Sequence, residues 1–181
     1  MIGFTPTWQK FDAKAAGLEQ FRYLFDKDVQ PEWAKLKYDG LNEGRKMAVR
    51  FYWFTAELNN GGLPQYFWNS SGDFAADQVA DLDKIGCQAE SRILSDATRK
   101  IFGSGAPSTN TTERRTQIQS YYGTHPFNDD DDRERLSQLE DKDDLRSETD
   151  QLDDAQKAIA KALCLWFRSN THFFTRLSDK S

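Results

Sequence analysis

The side chains best placed to do chemistry gather in one stretch, ELNNGGLPQYFWNSSGD, residues 57–73. Glu57 closes the most apolar run of the chain, and Asn59, Asn60, Gln65 and Tyr66 follow within a few positions. A carboxylate at the edge of an apolar helix, with amides nearby, could serve as a general acid or base. The same groups could instead satisfy the N–H and C=O groups left over where two helices end. Residue types favour this second role. Asn59, Asn60, Gly61 and Gly62 tolerate positive φ, Pro64 presets the next turn, and Asn69 to Asp73 offer capping oxygens. The stretch therefore reads as helix stop, tight turn, short helix, helix start. On that reading Asn60→Ala unfolds the domain before it removes any activity.

Elsewhere chemistry is sparse. His125 and His172 lie far apart with no HExxH, and Cys87 and Cys164 show no CxxC spacing and no base beside them. P-loop, GxGxxG and GxSxG patterns are missing as well. No catalytic residue, metal ligand set or cofactor is expected. The two cysteines read as reduced structural thiols of a cytoplasmic protein, and no apolar run reaches the roughly 20 residues of a membrane span.

The elements that must position these residues are helical. Phe11, Ala15, Leu18, Phe21 and Phe25 recur at helical spacing and predict a helix over 12–27. Gln30-Pro31 restarts the chain into a short helix with Trp33 and Leu36, stopped by Asp39-Gly40, and Asn42 caps the next. Residues 43–58 carry Met47, Ala48, Val49, Phe51, Tyr52, Trp53, Phe54, Ala56 and Leu58 around nearly the whole circumference, as a central buried helix does. Two antiparallel helices follow, closed by Gly86 and Gly103. A loop over 103–112 leads to a short helix over 113–119, and a last long helix occupies 150–169. No segment alternates with period two, so the expected fold is all-α, a single-domain multi-helix bundle with mobile loops at 103–112 and 123–132.

Charge is unevenly spread. The net charge of −5 conceals a stretch from Asp129 to Asp154 with 13 acidic and four basic side chains, net −9, which leaves the rest of the chain at +4. Its acids are Asp129, Asp130, Asp131, Asp132, Glu134, Glu140, Asp141, Asp143, Asp144, Glu148, Asp150, Asp153 and Asp154. Such a surface repels phosphates, which excludes direct nucleic-acid binding through it, and it attracts a basic protein surface.

The stretch at 57–73 resembles the signature of the bacterial DNA-mimic-protein family: Glu57, Asn59, Asn60, Gly61, Gly62, then Gln65, Tyr66, Phe67, then Asn69, Ser70 and Gly72. The likeness continues through LDKIGCQAESRIL, residues 82–94, and thins after Phe102. It implies an all-α fold, a homodimer and, from its best-known member, an acidic surface that imitates duplex DNA and occupies the DNA-binding face of a transcription regulator. Tyr66, Phe67 and Trp68 are then core or dimer-contact aromatics. The acidic residues from Asp129 to Asp150 become the partner-binding surface. The partner is a basic protein, a DNA-binding protein or, in a second reading, a basic nuclease toxin neutralised by an immunity-type inhibitor. A different class of reading is a small enzyme or ligand-binding module around Glu57, Asn60, Gln65, Tyr66 and His125, which needs a concave pocket lined by them. A third is a dimeric scaffold with no charged partner.

Overall fold

The computed structural model describes residues 17–103, 106–122 and 145–174. Every regular element among them is helical: α1 (Leu18–Leu24), a π-helical turn (Phe25–Val29), α2 (Gln30–Leu36), α3 (Glu43–Trp68), a 3₁₀ turn (Ser70–Phe74), α4 (Ala75–Lys84), α5 (Gln88–Phe102), α6 (Thr111–Tyr122), α7 (Arg146–Ser169) and a last 3₁₀ turn (Thr171–Phe174). The all-α fold class holds. The chain divides into two compact units, Met1–Tyr52 with Gln156–Ser181, and Trp53–Ala155, the divisions falling inside α3 and inside α7.

In the described part of the first unit, α1 runs through the π-helical turn into α2 without the pause expected at Gln30-Pro31. Pro31 lies in the first turn of α2, where its missing N–H goes unused, and the wider π spacing just before it lets Gln30 N–H reach Phe25 O. Lys37, with φ 60°, ends α2. Asn42 caps α3 as its residue type predicts, its Oδ1 accepting the Arg45 N–H at 3.0 Å. Phe21, Phe25, Met47, Val49, Phe51, Leu163 and Phe167 are buried, with Phe21 edge-on to Phe51 at 4.8 Å and Phe25 stacked on Tyr52 at 4.2 Å.

The second unit carries the signature. α3 is buried on most sides, Glu43 and Trp53 being its only exposed residues before Asn59. Trp53, placed in the core by its apolar neighbours, is 39% exposed. Further on, the backbone leaves helical geometry at Gly61 and at Gly62, whose φ of 69° suits glycine. Helix resumes through Pro64 to Trp68. α4 ends in a Schellman arrangement, with Cys87 N–H bonded to Leu82 O at 2.8 Å and Gly86 N–H to Asp83 O at 3.1 Å, Gly86 having φ 88°. Gly103, φ 72°, closes α5. α6 begins at Thr111, two positions before the expected start, because Asn110 Oδ1 accepts the N–H groups of Thr112 and Glu113. Its buried stripe is Arg114, Ile118 and Tyr122, one residue per turn.

Candidate functional site

The signature residues converge on the Glu57 carboxylate. Glu57 is buried at the foot of the first part of α3. Its Oε2 accepts from Gln65 Nε2 at 2.6 Å and from Asn69 Nδ2 at 2.9 Å, and Ser71 Oγ lies 3.1 Å from Oε1. Ser71 has one hydroxyl proton and a second acceptor, Tyr66 O, at 3.2 Å, so it serves one or the other. A carboxylate accepting from two amides and a hydroxyl makes charge-assisted bonds that tie the end of one helical segment to the far end of the next.

Asn69 thus differs from its expected part. The 3₁₀ turn after it has no side-chain cap, nor has α4; the Asn69 side chain is anchored through its Nδ2 on Glu57 instead. Ser71 supplies the hydroxyl, whereas Ser70 is exposed. Asn59 and Asn60 also depart from expectation. Both are exposed, and Asn59 Nδ2 turns back one helical turn to Thr55 O. Tyr66, Phe67 and Trp68 are at most 1% exposed, which makes them core of this unit. Tyr66 meets Phe54 edge-on at 5.1 Å, and Phe67 meets Phe102 at 5.4 Å.

Two residues outside the signature complete it. Arg114, fully buried, donates Nε to Phe67 O at 2.7 Å, Nη2 to Asn69 O at 2.8 Å and Nη1 to Ser108 O at 2.6 Å, and its Nη1 pairs with Asp73 Oδ1. One guanidinium fork thereby neutralises the carbonyls that the helix ending at Trp68 leaves over. Gly72 is required beside it: a Cβ there would lie 2.7 Å from Phe67 O and 2.9 Å from Arg114 Nε. Thr149, at the start of α7, accepts the Leu63 N–H on Oγ1 at 3.1 Å. A Cβ on Gly62 would come within 2.8 Å of Thr149 Cγ2. The sequence held one clue to Arg114, its place in register with Ile118 and Tyr122, and none to Thr149, which is remote along the chain from Leu63.

Chemically, the arrangement occupies the Glu57 oxygens with amide and hydroxyl donors. Of the residues grouped for an enzymatic pocket, Glu57 and Gln65 come together, Tyr66 joins them through its main-chain carbonyl on Ser71 while its ring packs on Phe54, Asn60 faces solvent, and His125 lies outside the described residues. Both cysteines are buried and free. Burial, aided by Glu90, raises the Cys87 thiol to about 11, and burial alone raises Cys164 to about 12. Among the described residues no group of three or more His, Cys, Asp or Glu side chains could hold a metal ion, and no helix is long and apolar enough to cross a membrane.

Of the acidic stretch, Asp129, Asp130, Asp131, Asp132, Glu134, Glu140, Asp141, Asp143 and Asp144 lie outside the described residues. The remainder stand on the first half of α7. Asp150, Asp153 and Asp154 are exposed, and Glu148 is half-buried, pairing with Lys100 Nζ at 3.0 Å.

A family model described as DMP19-like protein matches residues 39–170 of the chain, which takes in α3 to α7 and every residue of the network. No curated protein and no solved structure matches it.

Proposed function

Because the chain belongs to the DMP19-like protein family, we propose that it acts as a DNA-mimic-type binding protein whose acidic surface, residues 129–154, engages the basic face of a DNA-binding protein. The observation that carries this reading is the segregation of charge: net −9 within that stretch against +4 elsewhere. The exposed carboxylates of Asp150, Asp153 and Asp154 on one helical segment support it, since helix fixes their spacing better than loose chain would.

Spacing sets a condition. Duplex DNA carries a charge about every 3.4 Å along each strand, whereas one row of a helix offers a side chain about every 5 to 6 Å. A single helix is too sparse, so α7 must act with further acidic chain or with the same surface of a second copy. A homodimer supplies the latter by symmetry, which sedimentation velocity of the purified protein would detect as a mass twice that of the chain.

The test uses the full chain as bait, with Asp150, Asp153 and Asp154 all changed to Asn as its control. Association steered by opposite charge weakens with salt and is competed by duplex DNA. Proteins bound in about 0.1 M salt should be released by about 1 M salt and by added duplex DNA, and should bind the Asn variant less. Partners retained equally under all these conditions would rule the reading out.

A further inference from the structure

The C-terminal 3₁₀ turn reaches α3 through Phe173. The Phe173 ring stacks on Trp166, centroids 5.5 Å apart and planes 22° from parallel. A Cβ built on Gly44 would lie 2.6 Å from Phe173 Cβ and 2.7 Å from its Cγ, so the ring fills the space that a side chain at position 44 would take. The Phe173 carbonyl accepts from Arg45 Nη1 at 2.9 Å and from the Asn42 side-chain amide.

Each donor has an anchor besides Phe173. Asn42 Oδ1 caps α3 through the Arg45 N–H, which leaves Nδ2 facing outward from the cap. Arg45 is 3% exposed and its Nη2 is paired with Asp28 Oδ1 at 3.4 Å. Asn42, Gly44, Arg45 and Trp166 all lie within the residues that the family model matches, and the inserted Phe173 lies beyond them.

We propose that the start of α3 is a recognition seat for an aromatic residue taken together with its main-chain carbonyl, and that Phe173 is an exchangeable occupant. The seat reads two features only, a flat ring over Trp166 against Gly44, and an acceptor for Arg45 and Asn42. Within the turn, Phe173 N–H bonds to Asn170 O at 3.2 Å and Asn170 N–H to Phe167 O at 3.1 Å. Ordering a four-residue turn opposes the ring and carbonyl contacts that dock it, and exchange requires a minor undocked population. In that population a phenylalanine-bearing segment from another chain meets the same chemistry, and the C-terminal turn works as a latch that closes the seat to it.

Hydrogen exchange on the full-length protein tests this, with two variants and the synthetic peptide NTHFF, the sequence of residues 170–174, as the probe. Gly44→Ala keeps a helix-compatible backbone and fills the slot; Phe173→Ala empties it. Exchange at residues 171–174 should rise about tenfold or more in both. The peptide should slow exchange at residues 42–46 in Phe173→Ala, not in Gly44→Ala, and a peptide with alanine for both phenylalanines should have no effect. Exchange within about twofold of the unmodified chain in both variants, or no difference between the two peptides on Phe173→Ala, would overturn the proposal.

Discussion

Replacing Glu57 separates its charge from its shape, because glutamine preserves the shape of the network and alanine does not. In Glu57→Gln the new carbonyl can face Gln65 and Asn69, whose amides lie 2.6 and 2.9 Å from the present Oε2. The new NH₂ then faces Ser71, which can accept from it by turning its own proton to Tyr66 O, 3.2 Å away. Every partner survives, and the loss is the charge assistance of two bonds, about 1 kcal/mol each, offset in part by no longer burying a charge. A net cost of about 1 kcal/mol follows. Glu57→Ala strands both amides and leaves a void at a site 7% exposed, which together cost about 3 to 4 kcal/mol. With a urea dependence of about 2 kcal/mol per molar, the midpoint falls by about 0.5 M for glutamine and by about 1.5 to 2 M for alanine. Equal shifts for the two variants would mean that the charge itself is needed. A shift below about 0.5 M for alanine would mean that the network does not secure the turn.

The turn should respond to glycine and not to its exposed neighbour. Gly62→Ala, strained at φ 69° and pressed on Thr149, is expected to cost about 2 to 4 kcal/mol, whereas Asn60→Ala should stay within about 0.5 kcal/mol, both read from urea midpoints. Arg114→Lys keeps the charge but replaces the fork with one ammonium that cannot serve Phe67, Asn69 and Ser108 together; a loss of about 3 kcal/mol is expected in the same assay. Thiol alkylation of the native protein at pH 8 should leave Cys87 and Cys164 unmodified until denaturant is added. Because both thiols titrate higher when folded than their ordinary 9.0, the stability they contribute is complete below pH 9 and is lost as pH climbs toward 11 and 12. A thermal midpoint that rises over that window would contradict the sign.

Local chemistry was the legible part of this chain. Helical periodicity placed α3, α4, α5 and α7, and Asn42, Gly86 and Gly103 announced the cap and the two stops they make. Gly61-Gly62 announced the break inside α3. What stayed hidden depends on residues far apart in sequence. The Asn69 side chain, expected to cap locally, is turned toward a carboxylate twelve positions back, which its Nδ2 meets at 2.9 Å. Trp53 looked buried because periodicity reports how apolar a helix is, not whether another element covers that face. Arg114 drew no reading from the sequence, and the folded carbonyls of Phe67, Asn69 and Ser108 explain its burial.

Thr149 joins the signature to the acidic helix. Its hydroxyl takes the Leu63 N–H, the first amide after the Gly61-Gly62 break, and its methyl lies where a Gly62 side chain would be. It is flanked by Glu148, itself held by Lys100, and by Asp150, which is exposed. The direction in which the first turns of α7 present Asp150, Asp153 and Asp154 is therefore set by a contact that only glycine permits on the opposite side. Glu57, Gln65, Asn69, Ser71 and Arg114 in turn fix the helical segment that carries Leu63. A polar network with its carboxylate fully engaged then has a mechanical consequence: it stiffens the base from which the carboxylates project. Thr149→Val, nearly equal in volume but unable to accept the Leu63 N–H, should loosen that base while leaving every acidic side chain in place. If α7 is the working surface, the variant should lose salt-sensitive partner capture out of proportion to a stability loss of about 1 to 2 kcal/mol. Capture unchanged at that stability would separate the turn from the acidic face and leave the signature a purely structural device.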